Sequence, residues 1–354
     1  MKSFGALILV SAISVSAIPS LHLDVVGPRS VVDIHGLNVT ATLKNTGDET
    51  LKLLNDPHTV LSVTPTDTFT ISSESGSPAF TGIQLKYVPS QAVALNQEDM
   101  FTVLAPGQNI NIIHNLAGVY NFTLPGEGLY DFGATNVFTY VNASGALDTI
   151  EASTTSNQFK ITGELAAGDD HAAALSRRAV TYTGCNPKEQ SQILAAARES
   201  NKMVAEVNAY FDAGISSGAP RYTTWFGKLS ASGYYDASSR YERIGTDATE
   251  SRYDCSACKS NPRINFNTTF AYVRRNAPGM IYLCGSFWRA PVTGADSRAG
   301  TIVHENSHFV ANGGARDHTY GSRSSKQLAR SNPTQAINNA DNIEYFAENT
   351  PALP

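Results

Sequence analysis

The first 184 residues contain no cysteine, so the N-terminal half has neither disulfides nor thiolate ligands. Beyond residue 14 no apolar run is long enough to cross a bilayer. Residues 3–14 are mostly apolar and small, but too few to span one. Preceded by Lys2 and followed by Val15-Ser16-Ala17, they have the layout of a signal peptide over residues 1–17. The expectation is a secreted, extracellular chain without a membrane partner. Excess positive charge is also missing, the formal net charge being −5, and no nucleic-acid partner is expected. What remains is 354 residues, long enough for two domains with separate cores.

The halves are written differently. Residues 18–165 hold short runs rich in Val, Thr, Phe and Tyr, such as "LNVTATLKNT", "FTGIQLKYV" and "YDFGATNVFTYV". Turn sequences ("TGDE", "SGSP", "APGQ", "LPGEG") separate them, which predicts an antiparallel β-sandwich. His22, His35, His58 and His114 are scattered there without ligand spacing and read as surface or core histidines. The stretch 163–180 is a small-residue linker carrying Arg177-Arg178, a dibasic site suited to a processing protease. The part before this site thus reads as a propeptide and the part after it as the mature domain. Residues 1–180 carry 16 acidic and 8 basic side chains, residues 181–354 carry 15 and 18, and opposite fields suit two parts that dock.

The C-terminal half is mainly helical. Asn186, Pro187 and Glu189 spell a capping box opening a helix that stops at Gly214. "NTTFAYVRRNAPGMIYLCG" predicts a β-hairpin around Asn276–Gly279, and helices follow at 296–312, 321–330 and 333–348. The four cysteines (Cys185, Cys255, Cys258, Cys284) favour two disulfides in a secreted chain over a four-thiolate metal site. Four N-x-S/T triplets (Asn38, Asn121, Asn142, Asn267) fit a glycoprotein.

The chemistry concentrates in "TIVHENSHFV", residues 301–310. Residues four apart on a helix share a face, so His304 and His308 can ligate one metal ion. Glu305 is then placed to take a proton from an activated water. A third ligand is needed. The position that would supply a third histidine in a metzincin is Gly314, which excludes that class. Glu344 or Glu348 from a later helix and Asp317 in "NGGARDHTYG" remain open; Gly313 and Gly314 let the chain turn back towards the metal.

His304-Glu305-x-x-His308 followed by Gly313-x-x-x-Asp317-x-x-Tyr320-Gly321 resembles the aspzincin signature of the deuterolysin family of fungal metalloendopeptidases, with Gly314 where the family has Thr. "RYTTWFG", "YLCGSFWRAPVTG" and "NADNIEYFAEN" are similar to the peptidyl-Lys metalloendopeptidases within it. The resemblance implies an α+β protein: an all-β, sandwich-like propeptide followed by a mainly helical zincin-type domain with a small β-hairpin or sheet. It implies one zinc per chain on His304, His308 and Asp317, with Glu305 as general base and Tyr320 donating to the oxyanion. Asp341 and Glu344 would line an S1′ pocket for lysine, so that peptide bonds on the amino side of lysine are cut. The implied disulfides are Cys185–Cys255 and Cys258–Cys284. The implied partners are peptide substrates with lysine at P1′ and the chain's own propeptide, on a monomer. Competing readings are a related zinc endopeptidase of other specificity, or an inactive secreted binding protein on the same fold. Latency without an N-terminal cysteine requires steric cover, or Asp169, Asp170 or His171 near the metal.

Overall fold

The structure is a computed structural model describing residues 18–155, 157–167 and 179–354. The leader, Arg177-Arg178 and Asp169 to His171 lie outside the described residues. The protein is mixed α and β, with its strands mostly before residue 163 and nearly all of its helix after residue 186.

In the N-terminal half, alternation places Val39, Ala41 and Leu43 of strand Asn38–Asn45 in the same core as Leu21, Leu23 and Val25 of strand Leu21–Val26. Three four-stranded sheets surround that core. The expected all-antiparallel arrangement needs correction. Strand Leu21–Val26 pairs in parallel with Ser153–Thr154, and Ser30–Val32 does so with Asn157–Thr162.

"FTGIQLKYV" also departs from the expected sandwich. Its strand, Gln84–Tyr87, belongs to no N-terminal sheet. It is the fifth strand of the C-terminal sheet and forms its edge, antiparallel to Thr269–Val273, the outermost strand that the C-terminal half contributes on that side, with Leu85 opposite Tyr272 and Lys86 opposite Ala271. The other strands of that sheet are Thr181–Thr183, Arg252–Asp254 and Met280–Leu283. Thr269–Val273 and Met280–Leu283 form an antiparallel hairpin.

The long helix Pro187–Asp212 starts on a reciprocal box: Asn186 Oδ1 accepts from Glu189 N–H at 3.0 Å, and Glu189 Oε2 accepts from Asn186 N–H at 2.8 Å. Disulfides join Cys185 to Cys255 and Cys258 to Cys284, tying the helix start and the hairpin to one strand end. With separations of 70 and 26 residues, loop-closure entropy gives each a contribution of about 4 kcal/mol. The expected helix 333–348 is two helices, Pro333–Ile337 and Ala340–Glu348, because Asn339 is extended between them.

Candidate active site

The helix Arg298–His308 is buried on almost every side. Ser297 caps it, Oγ accepting from Gly300 N–H at 2.9 Å. Glu348, from the end of the terminal helix Ala340–Glu348, accepts from Ser297 N–H and Oγ at 2.8 and 2.7 Å. Burial, with Glu344 nearby, pushes the Glu348 carboxyl up to about 8. Glu348 therefore anchors the start of the helix, roughly 10 Å of helical rise from His304.

At the other end the imidazoles of His304 and His308 are completely buried with ring centroids 4.8 Å apart. Asp317 Oδ1 lies 3.2 Å from His304 Nε2 and 3.4 Å from His308 Nε2. None of these three buried atoms has a hydrogen-bond partner. Three convergent orphan donors of this kind, two nitrogens and one oxygen, fit a divalent transition metal. The outer nitrogens face acceptors, as those of metal-ligating histidines do: His308 Nδ1 is hydrogen-bonded to Ala315 O at 2.9 Å, and His304 Nδ1 lies 3.1 and 3.2 Å from Asp341 Oδ1 and Glu344 Oε2, without hydrogen-bond geometry to either. Burial lowers His308 to about 4, favouring the neutral imidazole a metal needs. His304, Asp341 and Glu344 form a second possible donor group, but the ammonium of Lys86 already neutralises those carboxylates.

The loop bearing Asp317 turns back at Gly313 and Gly314, which have φ of 96° and 60°. Arg275 Nη2 donates to Gly314 O at 2.7 Å, and a Cβ on Gly314 would meet that nitrogen at 2.5 Å. Buried Asn339 braces the loop's other side. Its Oδ1 accepts from His318 and Thr319 N–H at 2.8 and 3.2 Å, and its Nδ2 donates to Thr319 O at 3.2 Å. Asn339→Ala would leave these groups unpaired, a loss of about 2–4 kcal/mol at roughly one per bond. The expected result is a lower melting temperature and weaker metal retention in dialysis; an unchanged melting temperature would contradict it.

Glu305 is fully buried, and burial pushes its carboxyl well above the usual range despite the opposing pull of His304. Its Oε1 accepts the backbone N–H of Lys86 at 3.0 Å, while Oε2 has no partner. Tyr320 donates its O–H to Leu85 O at 3.1 Å, and Leu85 N–H donates to Asp317 Oδ2 at 3.2 Å. The Lys86 ammonium lies 2.7 Å from Glu344 Oε2, 3.1 Å from Asp341 Oδ1 and 3.2 Å from Asp296 Oδ1, with the Tyr345 ring 4.8 Å away. Burial alone would lower its pKa, but the carboxylates outweigh that and hold it well above its ordinary value. Burying an ammonium costs several kcal/mol, which only such close counter-charges offset.

Nothing in the sequence marks Asp296 or Tyr345 as a neighbour of the Lys86 ammonium. Asp296 sits at a φ of 51°, its N–H held by Glu348 Oε2 at 3.0 Å and its Oδ1 accepting from Tyr345 O–H at 2.6 Å. Nothing local in "TGADSR" marks it. His58 packs its ring 4.8 Å from that of Tyr320 and lines a cleft beside Asp317. His318 is exposed at the cleft rim.

Two imidazoles one helical turn apart, a carboxylate from the returning loop and a buried Glu beside them are the equipment of a metallopeptidase. A sequence model of the aspzincin family, described as lysine-specific metallo-endopeptidase, matches residues 210–348. A peptidyl-Lys metalloendopeptidase of Grifola frondosa is 44% identical over 96% of both chains. One of Armillaria mellea is 42% identical over 97% of this chain and 95% of its own. A solved zinc peptidase from Grifola frondosa is 43% identical, covering 48% of this chain and all of that one, with a TM-score of 0.44. The chain belongs to the aspzincin family of metalloendopeptidases. It requires a metal and acts on peptides.

Proposed function

We propose that the chain is a secreted zinc endopeptidase that hydrolyses the bond on the amino side of lysine, made with residues 18–180 as a propeptide and 181–354 as the enzyme. The observation that carries this reading is the pocket of Asp341, Glu344 and Asp296, which holds a lysine ammonium while Glu305 meets the same residue's N–H. A compact ammonium with three donors suits three convergent carboxylates better than the larger fork of arginine. Among the described residues no helix is long and apolar enough to cross a membrane.

His304, His308 and Asp317 would hold one zinc ion, which supplies a Lewis acid and makes water nucleophilic near neutral pH. Glu305 takes the water's proton and delivers it to the leaving lysine nitrogen, which its Oε1 is placed to reach. Tyr320 donates to the carbonyl oxygen on the other side of the bond, where negative charge develops. The edge strand Thr269–Val273 aligns the substrate backbone, and the acidic pocket orients its side chain.

Zinc analysis of two variants tests the ligand set. Asp317→Ala removes one of three donors and should lose zinc during dialysis. Glu348→Ala should keep it, although its melting temperature falls with the lost helix anchor. The opposite pattern would make Glu348 the ligand.

A further inference from the structure

One lysine of the N-terminal half lies where a substrate lysine would. Lys86 is completely buried, and its ammonium contacts all three carboxylates of the pocket. The backbone around it is placed with equal specificity. Gln84–Tyr87 extends antiparallel along Thr269–Val273, Leu85 O accepts from Tyr320, and Lys86 N–H donates to Glu305. The Leu85–Lys86 peptide bond is thus bracketed by the two groups that the hydrolysis proposed above needs at its two sides.

We infer that Gln84–Tyr87 is a built-in substrate mimic, with Leu85 as its P1 residue and Lys86 as its P1′ residue, and that Lys86 keeps the unprocessed chain latent by filling its own specificity pocket. The inference rests on the proposed lysine preference. It goes further in assigning latency to one side chain rather than to general cover by the N-terminal half.

Other contacts explain how the strand is delivered. Arg316 Nη1 pairs with Asp67 Oδ2 at 2.9 Å. Arg263 Nε donates to Val63 O at 3.1 Å and its carbonyl accepts from Thr64 Oγ1 at 2.8 Å. His58 and Tyr87 pack against Tyr320 with ring centroids at 4.8 and 5.6 Å. Beyond the strand, Asn265 Nδ2 donates to Asp99 Oδ2 at 3.3 Å, so the N-terminal half is attached both before and after Gln84–Tyr87. Its attachment sets a high local concentration for Lys86, so the pocket stays filled while the linker is intact.

The test uses the full chain with Arg177→Ala and Arg178→Ala, which blocks processing at the dibasic site. Zinc-loaded, this protein should hydrolyse a P1′-lysine peptide at a small fraction of the processed enzyme's rate. Adding Lys86→Ala should raise that rate at least tenfold. A second readout needs neither metal nor a new variant at residue 86. On brief exposure to acetic anhydride, Lys86 in the folded full chain should be acetylated at least tenfold more slowly than exposed Lys44, measured by peptide mass spectrometry. If Lys86→Ala does not fold, this labelling decides. Equal labelling of the two lysines, or a folded Lys86→Ala chain as latent as its parent, would overturn the inference. Measuring P1′ preference on the processed enzyme separates the two claims: with lysine preferred and the folded variant still latent, the mimic alone fails.

Discussion

Glu305→Gln is expected to lower kcat by about a thousandfold, roughly 4 kcal/mol, while zinc content stays unchanged. The substitution keeps shape and volume in a fully buried position. An amide oxygen can still accept the N–H that Oε1 now accepts at 3.0 Å. It cannot take a proton from water or deliver one to the leaving nitrogen. The proposed ligands His304, His308 and Asp317 are untouched, so the metal should stay. Zinc analysis beside a peptidase assay checks both halves; a zinc-loaded variant with unaltered turnover would remove Glu305 from proton transfer.

The second large effect concerns the pocket. Asp341 and Glu344 touch the Lys86 ammonium and also His304 Nδ1, so under the proposed function a change at either acid would alter specificity and the metal's surroundings together. The informative quantity is accordingly a ratio of kcat/KM between peptides differing only at P1′. Acetylating a P1′ lysine removes the charge that three carboxylates surround and should cost the unaltered enzyme at least tenfold, about 1.4 kcal/mol. Glu344→Gln should narrow the lysine to acetyl-lysine ratio, and Asp341→Asn with Glu344→Gln should remove most of it, Asp296 alone being left. Equal rates on the two peptides in the unaltered enzyme would mean that the pocket does not read charge.

Several parts of this arrangement are legible without a structure. Spacing of four along a helix puts His304 and His308 together, and a spacing of three puts Asp341 and Glu344 on one face. The capping box at Asn186 announces the long helix. Other parts depend on the chain's path. Alternation in "FTGIQLKYV" marks a strand but not its partner, and the free edge at Thr269–Val273 captures it from another half of the molecule. The break at Asn339 is set by tertiary demand, since its side chain is committed to the Asp317 loop. Asp296 has no periodic or motif context. It reaches the pocket through a left-handed backbone fixed by Glu348, more than fifty residues away in sequence.

The cleavage rule itself is the most direct measurement. A denatured protein of known sequence is digested with the processed, zinc-loaded enzyme, and the new N-termini are read by mass spectrometry. The account predicts lysine at the large majority of them, with arginine a minor fraction. New N-termini that carry lysine no more often than the substrate's composition would contradict it.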